Sequence, residues 1–149
     1  MPAPLIVVVE DEVLLALDLA HSLKAKGYRV ATYASADDAI EKVTEACRAG
    51  DAPLVAVIDV MLRGRPAGLE VARRIREICG SKLILVFTTG WVAEDVLPQA
   101  SACAPAAVLQ KPVDLEELLA TLERSLADQN GVELAPKQLR DSYARRAAP

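Results

Sequence analysis

The chain reads as a doubly wound α/β domain, a five-stranded parallel sheet with helices on both faces. Three observations predict it. Short apolar runs rich in β-branched residues recur at 5–9, 54–58, 83–87 and 106–109, with a weaker alternating run at 28–33. Helix-like segments separate these runs, so strand and helix alternate five times over. The stronger runs are apolar throughout rather than at every second residue, which suits strands covered on both faces, as in parallel sheets. Parallel neighbours need crossover connections, and right-handed crossovers divide the helices between the two faces. Such sheets carry their functional groups outside the carboxyl ends of the strands.

Each element has its own signal. After LIVVV at 5–9, the segment 12–26 places Leu15, Leu19 and Leu23 four apart and ends at Gly27, a helix whose apolar stripe is those leucines. Ser35 with Asp38 three residues later marks an N-cap before a helix over 36–48, and Gly50 follows it. The segment 69–79 spaces Val71, Ala72, Ile75 and Cys79 on one helical face before Gly80. The segment 93–102 is a weak short helix interrupted by Pro98. Asp114 caps a final helix over 115–127 with Leu115, Leu118, Leu119, Leu122 and Leu126 as its stripe. The domain therefore fills 1–127. Residues 128–149 are a mildly basic tail, with Lys137, Arg140, Arg145 and Arg146 against Glu133 and Asp141, in which Pro136 can start a short helix.

Composition narrows the function. At 149 residues one domain is expected, large enough to hold a core without disulfides. Cys47, Cys79 and Cys103 form an odd set without a C-x-x-C pair, which argues for reduced thiols acting as small filler. A net charge of −4 argues against nucleic acid as a main partner. No apolar stretch reaches the ~18 residues that span a bilayer, and the N-terminal MPAPLIVVVEDE lacks the basic start of a signal peptide. No membrane association and a cytoplasmic location are expected by elimination. The lone histidine, His21, has no carboxylate-bearing motif around it and is expected at the surface or half-buried.

The chemistry lies where the runs end. The first is followed by Glu10-Asp11, the third ends on Asp59, the fourth on Thr88-Thr89 and the fifth on Gln110-Lys111-Pro112. Three acids, a hydroxyl and an ammonium thus converge on one rim of one sheet. Clustered carboxylates repel one another unless a cation is present. A few hard oxygens with room for water and phosphate suit Mg²⁺. A carboxylate nucleophile, a Mg²⁺ clamp, a hydroxyl donor and a mobile ammonium are the parts for phosphoryl transfer onto an aspartate. The acidic pair alone also suits the start of the following helix.

With these residues in this order, 5–127 resembles a response-regulator receiver domain, CheY-like, whose flavodoxin-like sheet has the strand order 2-1-3-4-5. Thr89 lies 30 residues and Lys111 52 residues beyond Asp59, as the family spaces them. The resemblance implies that Asp59 accepts phosphate from a sensor histidine kinase or a phosphotransfer protein. It implies that Asp11 and Asp59 bind Mg²⁺ by their side chains, Met61 by its main-chain carbonyl and Glu10 through metal-bound water. Thr89 and Lys111 hold the phosphoryl oxygens, and the Lys111-Pro112 bond is expected to be cis. Beyond its own phosphorylation and dephosphorylation such a protein is not an enzyme, and a monomer or weak homodimer is expected. The tail is too short for a DNA-binding output domain, so the output would be protein contact or phosphate traffic. The stretch Phe87-Thr88-Thr89-Gly90-Trp91 is similar to that of the FATGUY subgroup.

Three positions depart from the family. Arg63 stands where receivers carry a proline four residues after the aspartate. The glycine that follows arrives one residue late, at Gly68. Val108 replaces the aromatic that turns inward when the threonine moves. Phosphorylation with a different readout, carried by residues 91–101, is one expectation. A phosphate-independent adaptor is the alternative. Met61 and Trp91 flank the path of an attacking water and are bulky and apolar, so slow self-dephosphorylation is expected.

Overall fold

The structure, a computed structural model, is described over residues 3–90 and 96–129. Its elements alternate as β1 (Leu5–Val9), α1 (Val13–Ala25), β2 (Arg29–Tyr33), α2 (Ala36–Arg48), β3 (Val55–Asp59), α3 (Ala67–Cys79), β4 (Ile84–Thr89), α4 (Val96–Ala102), β5 (Ala107–Gln110) and α5 (Leu115–Gln129). All neighbouring strands are parallel, in the order β2-β1-β3-β4-β5. This is the expected doubly wound sheet. The expected tail helix and the segment 91–95 lie outside the described residues.

Strand residues alternate between two cores, as the period of two requires. Val7, Val9, Ala56, Ile58, Leu85 and Phe87 face Ala39 and Val43 of α2 and Leu69, Val71, Ala72 and Ile75 of α3. Ile6, Val8, Val55, Val57, Ile84, Val86 and Leu109 face Leu23 of α1 and Leu118 and Leu122 of α5. Burying each Val, Leu, Ile or Phe among them contributes about 1.5–3 kcal/mol. β3 is buried along its whole length, whereas β2 at the sheet edge is half-buried, in line with its weaker, alternating sequence.

The caps expected for α2 and α5 are present. Ser35 Oγ accepts from the Asp38 amide at 3.2 Å, and Asp114 Oδ1 accepts from the Glu116 amide at 3.0 Å. Pro98 does not break α4. It sits in the first turn, where its missing N–H has no intrahelical partner to lose.

A second expectation is corrected. The stripe of α1 is rotated. Ala16, Ala20 and Leu23 are buried, Leu19 only packs against the core edge, and Leu15 is 43% exposed. The helix is apolar nearly all round, so a leucine period could not fix its phase, and small alanines let it lie close to the sheet. Val13, Leu14 and Leu17 are left 62%, 81% and 57% exposed. The cysteines are free and pack as the expected filler, Cys103 in the core and Cys47 and Cys79 against it; in addition, Cys47 at the end of α2 and Cys79 at the end of α3 meet with their sulfurs 3.5 Å apart. They are distant in sequence and become neighbours only when α2 packs on α3.

Candidate functional site

Parallel strands bring their carboxyl ends to one rim, and the rim gathers the residues singled out above. Glu10 follows β1, Asp59 ends β3, Thr89 ends β4 and Lys111 follows β5. Ligand oxygens of Glu10, Asp11 and Asp59 all lie within 4.8 Å of one another. Glu10 and Asp59 are only 6% and 5% exposed, so two carboxylates are held out of water side by side. That arrangement demands positive charge. Lys111 supplies part of it: its Nζ donates to Asp59 Oδ2 at 2.7 Å and lies 2.7 Å from Glu10 Oε2. The Lys111-Pro112 bond is cis, as the resemblance implied.

Main-chain groups hold the acids in place. The Met61 amide donates to Asp59 Oδ1 at 3.1 Å. The Glu12 amide donates to Glu10 Oε1 at 3.1 Å. The Arg63 amide donates to Asp11 Oδ2 at 2.9 Å. Side-chain patterns could not have announced these donors, because every residue but proline carries one. Arg63 is the exception in hindsight. It has φ of 52°, and a proline there could neither adopt that conformation nor supply the N–H. The departure at this position thus gives Asp11 a hydrogen-bond donor.

Gly68, at the start of α3, has a different role. A Cβ there would stand 1.9 Å from the carbonyl oxygen of Asp59. Only a bare backbone lets α3 begin so close to the strand end. Thr89 is 2% exposed, and its carbonyl accepts from the Lys111 amide at 2.8 Å, which fixes β4 and the Lys111 turn together. Thr88 is also buried, and its carbonyl accepts from the Val60 amide at 2.9 Å. Val108 is buried in the core on the α2/α3 side of the sheet. His21 is exposed, as expected.

The electrostatics follow from burial and pairing. Burial raises the Glu10 carboxyl above its ordinary value, against the opposing pull of Lys111 and the Glu12 N–H. Burial lowers the Lys111 ammonium, but its hydrogen bonds to Asp59 and Glu10 outweigh this and hold it above its ordinary value. The donor set fits a hard divalent cation: clustered carboxylate oxygens, two of the three residues buried, and room beside them. A cavity of about 460 Å³ opens next to the cluster, with Glu10, Lys111 and Pro112 at one end and Leu15, Asp18 and Leu19 of α1 along one wall. Among the described residues, no helix is long and apolar enough to cross a membrane.

Comparison with known proteins agrees with this geometry. Residues 6–123 match the response regulator receiver domain family. The chain is 29% identical over 121 residues to the response regulator receiver protein CpdR of Brucella abortus (strain 2308), covering 81% of this chain and 95% of that protein. It is 33% identical over 129 residues to the uncharacterized transcriptional regulatory protein YkoG of Bacillus subtilis (strain 168), covering 85% of this chain but 52% of that protein. It therefore spans about half of YkoG. The crystal structure of a response regulator receiver protein from Sinorhizobium medicae WSM419 superposes with a TM-score of 0.69 at 30% identity, over 84% of this chain and 95% of that one. A CheY-like receiver domain protein from Methanospirillum hungatei JF-1 superposes with a TM-score of 0.76 at 20% identity, over 86% and 97%, a likeness of fold. Sheet order, acidic rim and family match converge on one conclusion: the chain belongs to the response regulator receiver domain family of two-component systems.

Proposed function

We propose that the protein is a stand-alone receiver domain, filling 1–127 with a tail at 128–149, that takes a phosphoryl group on Asp59 from a histidine kinase or a phosphotransfer protein. The observation that carries this reading is the Lys111 ammonium within 2.7 Å of both Asp59 and Glu10, beside the three-acid cluster. An Asp59 carboxylate oxygen attacks phosphorus, the P–N bond of the donor phosphohistidine breaks, and its electron pair returns to the imidazole. The Met61 amide fixes one Asp59 oxygen and so aims the other. Lys111 moves from the carboxylate to a phosphoryl oxygen as charge develops there, and Thr89 donates to another. Mg²⁺ held by Glu10, Asp11, Asp59 and the Met61 main-chain carbonyl would supply positive charge against the phosphoryl oxygens. Exposed Val13, Leu14 and Leu17 begin two residues beyond Asp11 and offer an apolar seat beside the site for the donor.

The protein catalyses only its own phosphorylation and dephosphorylation, works in the cytoplasm as a monomer or weak dimer, and signals by protein contact or onward phosphate transfer. The likeness of the Phe87–Trp91 stretch supports membership of the FATGUY subgroup, and Met61 and Trp91 slow its self-dephosphorylation. Val108 favours the alternative, a phosphate-independent adaptor, because a small buried side chain has no ring to turn inward.

The test is intact mass over time with Mg²⁺ and acetyl phosphate, beside Asp59→Asn. A gain of one phosphoryl group in the wild type, absent in the variant and without Mg²⁺, supports the receiver. No gain, with no Mg²⁺ effect on Trp91 fluorescence, supports the adaptor.

A further inference from the structure

We propose that Cys47 and Cys79 form a reversible disulfide that clasps α2 to α3 when the protein meets a low-molecular-weight disulfide such as oxidised glutathione. The two sulfurs stand 3.5 Å apart. A disulfide needs about 2.05 Å, so about 1.5 Å must close. Both residues are placed to give that distance. Cys47 is the second-last residue of α2 and Cys79 the last of α3, where helices fray and a small backbone shift is cheap. Gly50 and Gly80 follow shortly after, at φ of 77° and 85°, so each chain turns away just past its cysteine. Both thiols are half-buried, close enough to the surface for a small oxidant and sheltered from a second protein molecule. The third thiol differs: Cys103 is buried, and its sulfur lies 3.6 Å from the Gln99 carbonyl oxygen.

The chemistry balances in two exchanges. The Cys47 thiolate attacks one sulfur of glutathione disulfide, and one glutathione thiolate leaves. The Cys79 thiolate then attacks Cys47 Sγ in the mixed disulfide and expels the second glutathione. The protein pair gives up two electrons and two protons, and the oxidant becomes two thiols. Burial, with the adjacent Cys47 sulfur adding to it, pushes the Cys79 thiol up to about 12, so its deprotonation slows the closing exchange. The closed loop contains β3 and Asp59, so the clasp ties together two helices that flank the strand bearing the phosphoacceptor. This inference does not depend on phosphorylation.

The experiment equilibrates the full chain in glutathione redox buffers and counts free thiols, with intact mass and peptide mapping without reductant. The expected result is loss of two hydrogen masses, a fall from three titratable thiols to one, and a cross-linked peptide joining 47 to 79, all reversed by excess reduced glutathione. Cys103→Ala keeps the cross-link, whereas Cys47→Ser and Cys79→Ser each abolish it. Three thiols remaining in the wild type, a stable glutathione adduct that does not close, or cross-links between two molecules would each overturn the proposal. Because these readouts are on the wild-type protein, a variant that fails to fold does not rescue it.

Discussion

Gly68→Ala tests how tightly the start of α3 is pressed against the strand that ends on Asp59. The added Cβ would lie 1.9 Å from the Asp59 carbonyl oxygen, 2.8 Å from the Asp59 carbonyl carbon and 2.9 Å from Val60 Cα. All three are backbone atoms, so no side chain can swing aside. A carbon–oxygen contact of about 3 Å requires roughly 1.1 Å of movement in a close-packed interior. The strand is not free to give it, because the Val60 amide donates to Thr88 at 2.9 Å. Nor is the helix, because the Gly68 amide donates to the Val60 carbonyl at 3.0 Å. Forced overpacking of this kind costs about 1–3 kcal/mol and occasionally more, and with both relief routes tied we expect the top of that range, about 3 kcal/mol. The carbonyl belongs to Asp59 itself, so the shift also misplaces its carboxylate, where an error near 1 Å can slow transfer by about 100-fold. Urea unfolding gives the first number and acetyl phosphate labelling the second. Gly64→Ala is the control: it has φ of 74° but nothing within 4 Å of an added Cβ, so it carries backbone strain without a clash. Its cost should be about 1–2 kcal/mol, with labelling unaffected. A Gly68→Ala protein within about 0.5 kcal/mol of wild type, labelling at the wild-type rate, would refute the reasoning.

Further outcomes follow from the same rim. Arg63→Pro removes the amide that holds Asp11 and cannot reach φ of 52°, so unfolding should show a loss of about 2 kcal/mol or more, whereas Arg63→Gly keeps the N–H and should stay within about 0.5 kcal/mol. Lys111→Met strands two buried carboxylates, and breaking such a pair costs about 3–5 kcal/mol. Because Mg²⁺ then offers the missing charge, the Mg²⁺-dependent rise in thermal midpoint should be larger in the variant than in wild type, and an equal rise would separate the ammonium from the metal site. Glu10 titrates above its ordinary value in the fold, so its proton favours the folded state. That contribution is complete below the ordinary carboxylate range and is lost as pH rises through the raised value, and Lys111, also raised, repeats the pattern at the alkaline end. Mg²⁺ would compete with a proton for Glu10, so calorimetric affinity for Mg²⁺ should weaken as the buffer is taken from neutral into the carboxylate range, and a pH-independent affinity would count against Glu10 in the cluster.

The sequence by itself determined the sheet and the contents of its rim. Runs such as VAVID and ILVFTT are apolar on both faces, a pattern that suits strands covered on both sides, as in parallel sheets. Once strands are parallel, residues at their carboxyl ends must share one edge, so Glu10, Asp11, Asp59, Thr89 and Lys111 were legible together from their positions alone. The caps at Ser35 and Asp114 were equally legible, because a cap acts within a few residues of itself. Tertiary structure decided what depends on distance across the fold. The phase of α1 was open in the sequence because leucine and alanine occupy most of its faces, and packing against the sheet chose the alanines. The amides of Met61 and Arg63 gained their roles from a loop conformation, since a backbone N–H carries no sequence label. The need for glycine at 68 comes from the Asp59 carbonyl, nine positions away and in another element. The Cys47–Cys79 approach is of the same kind: it exists only because two helices on one face of the sheet end side by side.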